Sequence, residues 1–139
     1  MQSHSARRTA LWLLFMLLPA TSHSVAWAAT RILTDSDKDA KVVLHDGDQM
    51  ELRLGSNPST GYRWYVHSDS TPLMSLVSQS ETQSKEPGVG RPIVQIFRFE
   101  AVKIGDGILL LRYARSPSSR SSDQPDPDEQ QFDVRLTIR

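Results

Sequence analysis

The chain has 139 residues, with 16 basic residues against 16 acidic ones and no cysteine. That length holds one domain. The balanced, interspersed charge offers no basic stripe for nucleic acid or an anionic membrane, and the lack of cysteine excludes disulfides and lipid-carrying thiols.

Part of the length is not domain. Arg7 and Arg8 precede the apolar run Ala10 to Leu18, which is followed by Pro19 and a small-residue stretch ending Ala26-Trp27-Ala28-Ala29. This is the pattern of a secretory signal peptide over residues 1–29, with cleavage after Ala28 or Ala29. The run is shorter than the roughly 20 apolar residues a bilayer span requires, and no second run follows. The expected mature chain, residues 30–139, is a soluble exported monomer, periplasmic or secreted, with no membrane in its mature form. Losing Arg7 and Arg8 leaves it 14 basic and 16 acidic residues, a net charge of −2.

Asp35-Ser36-Asp37-Lys38-Asp39-Ala40 has the alternating carboxylates of a calcium loop, with Asp46 in the closing position. Ala40 replaces the glycine of the sharp turn, and Asp46 is shorter than the bidentate Glu, so an exposed polar lead-in is the better expectation and no metal is assigned. Lys41 to Leu44 forms a first strand, and His45-Asp46-Gly47-Asp48 a turn. Met50, Leu52 and Leu54 then alternate with Glu51 and Arg53, which predicts a strand with one face in the core and one in water.

The next stretch, Ser56-Asn57-Pro58-Ser59-Thr60-Gly61-Tyr62, is the centre of the chain's organisation. Pro58 fixes its own φ and pushes Asn57 towards an extended backbone, Gly61 accepts a positive φ, and Asn57, Ser59 and Thr60 offer side chains to nearby backbone. Such a loop is stiff and projecting, and loses little entropy when a partner immobilises it. Beyond it Tyr62, Trp64 and Val66 share one face, with Trp64 expected in the middle of the core.

Leu73 to Val77 forms a weaker strand, followed by a polar stretch from Ser78 and a second shaped loop, Pro87-Gly88-Val89-Gly90-Arg91-Pro92. Phe97, Phe99 and Ala101 face inward from the following strand, whose first half, Ile93-Val94-Gln95-Ile96, alternates less clearly. Gly105-Asp106-Gly107 reads as a turn. Leu109, Leu111 and Tyr113 line a strand ending at Ala114-Arg115, and Ser116 to Glu129 is too polar to bury a core. Phe132, Val134, Leu136 and Ile138 make the last strand.

About seven strands with turns between them predict an all-β fold, an immunoglobulin-like antiparallel β-sandwich. The loops at Asn57, Gly88 and Ser116 are connections of the same sense, so they gather at one end. The mature chain holds only His45 and His67 as histidines and shows no H-x-x-x-H or G-x-S-x-G, so catalysis has no visible machinery. A recognition surface is left by exclusion.

The three loops together resemble the chagasin family of cysteine-peptidase inhibitors. The family's central loop reads N-P-T-T-G plus an aromatic residue, matched by Asn57-Pro58-Ser59-Thr60-Gly61-Tyr62. Its second, G-x-G-G, is met by Gly88-Val89-Gly90 with Arg91 in the last place. Its third, R-P-W or R-P-F shortly after a tyrosine, meets Tyr113-Ala114-Arg115, but Ser116-Pro117-Ser118 shifts the proline and removes the aromatic. The resemblance implies an inhibitor that blocks papain-like cysteine peptidases reversibly and competitively, without a cofactor. Thr60 and Gly61 would approach the peptidase cysteine, Asn57 and Pro58 would hold the loop's shape, Gly88 to Arg91 would touch one cleft wall, and Arg115 with Pro117 the other. On the residues alone, an exported adhesion or assembly module working through an edge strand or sheet face fits the same strand pattern.

Overall fold

The computed structural model of the chain describes residues 28–82, 91–115 and 128–139. Eight strands form two four-stranded sheets packed face to face. In chain order they are β1 (Thr30–Thr34), β2 (Lys41–Leu44), β3 (Gln49–Ser56), β4 (Arg63–Val66), β5 (Met74–Glu81), β6 (Ile93–Ala101), β7 (Gly105–Ala114) and β8 (Gln130–Ile138). One sheet has the order β1-β3-β6-β5 and the other β2-β8-β7-β4. The all-β sandwich expected from the strand pattern is present.

Alternation decides what is buried. Met50, Leu52, Leu54, Phe97 and Phe99 from the first sheet meet Leu109, Leu111, Phe132, Val134, Leu136 and Ile138 from the second, all buried in one cluster. With no disulfide, this apolar contact is the main favourable term holding the sheets together.

Several details differ from the sequence expectation. The strand count is eight because Thr30–Thr34 pairs with β3, although only its Leu33 is buried. This pairing and that of β2 with β8 are parallel, while the other four are antiparallel. β5 runs on through Glu81 in residues read as a polar stretch, since an edge strand needs backbone partners on β6 and no apolar face. Gly105 to Gly107 lie inside β7, drawn into the ladder by the full length of β8, where they face Ile138 to Leu136. Glu51, expected in water, is buried beneath Arg53 and Arg98, which bond its two carboxylate oxygens at 2.6 and 2.7 Å. Arg98 first and Arg53 second hold its carboxyl below the usual carboxylate range.

The segment expected as a polar lead-in is a built turn. Thr34 donates its backbone N–H and its hydroxyl to the Asp37 carboxylate at 2.8 and 3.1 Å, around a 3₁₀ turn at Asp35–Asp37. The Asp39 N–H then bonds the Asp133 carbonyl, which carries the chain from the first sheet to the second. Among the described residues no cluster of three His, Cys, Asp or Glu could hold a metal, and no helix is long and apolar enough to cross a membrane.

Candidate functional site

The register brings the loop stems to one end. Ser56 at the end of β3 faces Ile93 at the start of β6. Arg63 at the start of β4 faces Ala114 at the end of β7, and Tyr113 faces Gln130 at the start of β8. The central loop therefore lies at the same end as the start of β6 and the end of β7, the stems of the other two loops. Gly88, Val89, Gly90 and Pro117 lie outside the described residues. Arg91 and Arg115 are described and exposed at this end.

Within the central loop the shape is set by its own groups. Asn57 is extended at φ −123°, and its side-chain oxygen accepts the Ser59 N–H at 3.3 Å and the Ser59 hydroxyl at 2.6 Å. Pro58–Thr60 makes one 3₁₀ turn, with Pro58 at a position where its missing N–H costs nothing. The Thr60 hydroxyl donates to the Asn57 carbonyl at 2.6 Å and accepts the Tyr62 N–H at 3.3 Å. Gly61 closes the turn at φ 80°, left-handed backbone that disfavours any other residue. Ser59, Thr60 and Gly61 are the exposed tip, while Asn57 and Pro58 are half-buried.

An aromatic column seats this loop on the core. Tyr62 is buried outside β4 and stacks on Tyr113 with ring centroids 5.5 Å apart. Tyr113 leans on Trp64 at 5.2 Å, and Trp64 meets Phe132 edge-on at 6.3 Å. Trp64 is thus in the core, at its loop end instead of its middle. The Arg115 guanidinium lies 4.9 Å above the Tyr62 ring, a cation–π contact that holds the side chain at the rim of the loop cluster. The column also does hydrogen-bonding work, since the Tyr113 hydroxyl accepts the Asn57 N–H at 3.0 Å.

Two polar supports had no clear sign in the sequence. β4 is an edge strand, and Gln95, fully buried on β6 of the opposite sheet, accepts the Trp64 N–H at 2.8 Å and donates to the Trp64 carbonyl at 3.4 Å. One amide side chain thereby replaces a missing neighbouring strand. Its only trace in the sequence is the broken alternation of Ile93 to Ile96. The second support is an ion pair of Arg63 with Glu81, which ties the stem of the central loop to the end of β5, where the second loop begins. The site is therefore a stiff, exposed, neutral tip on a buried aromatic base, with arginines at its flanks, which suits occlusion of a cleft.

Known proteins resemble this chain in sequence and fold. Residues 43–136 match the model of the chagasin family peptidase inhibitor I42. Amoebiasin-2 of Entamoeba histolytica is 30% identical over 104 residues, covering 73% of this chain and 81% of that protein. The crystal structure of the cysteine protease inhibitor EhICP2 from Entamoeba histolytica superposes with a TM-score of 0.65 at 25% identity, over 81% of this chain and 97% of that one. The fold alone is shared with Leishmania mexicana ICP, at a TM-score of 0.52 and 23% identity over 76% and 93% of the two chains. The chain belongs to the chagasin family, and it is a peptidase inhibitor and not an enzyme.

Proposed function

We propose that this protein inhibits papain-like cysteine peptidases reversibly and competitively, with Ser59, Thr60 and Gly61 entering the cleft at the catalytic cysteine. Arg91 and Arg115, with Gly88, Val89, Gly90 and Pro117 of the two flanking loops, meet the cleft walls. The observation that carries the reading is the self-bonded turn of the central loop. Its peptide groups are curled onto one another through Thr60 N–H to Asn57 and Gly61 N–H to Pro58, so none is laid out in attack geometry for cleavage. Its shape exists before binding, so little ordering entropy is lost on contact. The family match favours this reading over a non-inhibitory adhesion or assembly module.

Titration of papain with the mature chain tests it. Inhibition should be overcome by substrate, and the inhibitor should be recovered uncut. Thr60→Arg should weaken binding by at least tenfold, about 1.4 kcal/mol, without unfolding the domain. Unchanged affinity would remove the central loop as the anchor.

We further propose that the chain is exported after removal of its first residues, and that it begins at Ala29. The Ala29 nitrogen lies 3.0 Å from an Asp48 carboxylate oxygen, so an α-ammonium formed there would sit against an anion. Mass spectrometry of the exported protein gives the first residue directly, and a mature form retaining Leu11 to Leu18 would refute export by cleavage.

A further inference from the structure

The family match begins at residue 43, so β1 and the turn after it lie outside the matched stretch. We infer that Asp35, in that turn, is a positioning residue for the inhibitory loop. The inference rests on the peptidase-inhibitor reading of the central loop and adds a residue to it.

The argument starts from a glycine. Gly55 stands two residues before Asn57, near the end of β3, where a residue without a Cβ restrains the chain least and any tilt is passed on to the loop. Its neighbour on β6 is Val94, but the Val94 N–H bonds the Thr82 hydroxyl, and the Val94 carbonyl accepts the Thr82 N–H. Neither backbone group of Val94 is turned towards Gly55. On the other side the parallel ladder of β1 with β3 ends at Thr34 facing Arg53, one step short.

Asp35 completes that step. Its two carboxylate oxygens lie 3.2 and 3.0 Å from the Gly55 N–H, where a strand carbonyl would be if β1 continued. On the far side of the same glycine, the Trp64 indole N–H donates to the Gly55 carbonyl at 2.8 Å. The peptide groups before and after the Gly55 Cα thus each gain a hold on the side away from β6, one from a carboxylate and one from an indole, beside the ladder pairing of Leu54 and Ser56 with Gln95 and Ile93. Asp35 is itself held in place, because Thr34 bonds Asp37 through two groups and Ser36 through its hydroxyl at 2.9 Å. The carboxylate needs no rearrangement to do this. Stiffness at a loop's base acts on affinity as stiffness within it does, by lowering the entropy lost in the complex, and it shows mainly in the dissociation rate.

The experiment compares wild type, Asp35→Ala and Asp35→Asn by amide hydrogen exchange of the free inhibitor and by association and dissociation rates with papain. Asp35→Ala should speed exchange at Gly55 and raise the dissociation rate about tenfold, with association little changed. Asp35→Asn keeps one acceptor and should stay within about threefold of wild type. Wild-type exchange and dissociation in Asp35→Ala would overturn the assignment. So would equal losses in both variants that follow thermal stability, since a purely structural residue behaves that way. If wild type fails to inhibit papain, the inhibitor reading falls, and exchange at Gly55 alone then decides whether Asp35 holds the glycine.

Discussion

Two short turns at opposite poles of the sandwich, both closed by backbone bonds, differ in the side chains that hold them. In the turn from His45 to Asp48, one carboxylate adds to backbone bonds that run from Asp46, Gly47 and Asp48 to Arg139, Ala101 and His45. Asp48 accepts the His45 N–H at 2.8 Å and the Ala29 N–H at 3.0 Å, and the His45 ring lies 3.4 Å away. These contacts, led by the His45 N–H, keep its carboxyl below the usual range. The central loop from Asn57 to Gly61 is instead held by an amide oxygen, a threonine hydroxyl, a tyrosine hydroxyl and backbone. A turn held by ionised groups loses its holder when protonated, whereas a turn held by neutral groups keeps its shape at any pH the fold survives. The bonds inside the central turn are thus insulated from acid, although the Asp35 carboxylate and the Arg63–Glu81 pair at its base are not.

The largest expected effect is on the neutral side. Gln95→Leu strips the buried Trp64 N–H and carbonyl of their partners beside the loop, and should cost about 3 kcal/mol in urea denaturation. A loss well under 1 kcal/mol would mean that β4 finds another partner. Next in size, Gly61→Val forces a branched residue into left-handed backbone, with a cost of about 1–2 kcal/mol and a weaker grip on papain. A crystal structure of that variant with the turn unchanged and inhibition intact would show that the loop tolerates strain.

A smaller effect belongs to the charged side. Asp48 and Glu51 both have folded-state pKa values lowered from 3.8 and 4.5. Their stabilisation is complete above those ordinary values, and is lost as pH falls through them towards the depressed folded values. Asp48→Asn and Glu51→Gln should each lower stability at pH 7 and flatten its decline below about pH 4.5, read from melting temperatures across pH. A variant whose acid decline is as steep as wild type would acquit that carboxylate. The smallest effect is an expected constancy. As pH falls below about 4 the amide resonances of Ser59 to Gly61 should hold still while those of His45 to Asp48 move with the protonation of Asp48. Equal movement in both turns would erase the contrast.

Where one residue type and its neighbours decided the outcome, the sequence was enough. Pro58 and Gly61 announced the central turn, and the alternation from Phe132 to Ile138 announced β8. Elements decided by a distant backbone left little trace. β1 buries only Leu33 because its role is to lie along β3, and most of β5 is exposed because its role is to lie along β6. Glu51 looked solvated because Arg98, which covers it from across the sheet, cannot be placed before the pairing of β3 with β6 is known. Gln95, Tyr113 and Asp35 support the loop through one or two bonds each to backbone groups at Trp64, Asn57 and Gly55, and no spacing rule foretells such bonds.

The parallel pairing of β2 with β8 also governs how the molecule comes into being. Lys41 lies opposite Arg135 and Leu44 opposite Ile138, so an early strand is zipped to the last one. Closing so long a segment is costly in chain entropy, and contacts of such sequence separation slow folding. Until Gln130 to Ile138 has been synthesised, β2 has no ladder, and β7 lacks the partner along one side. A nascent chain of this sequence therefore cannot close its second sheet until Gln130 to Ile138 appear, whatever the first sheet has done by then.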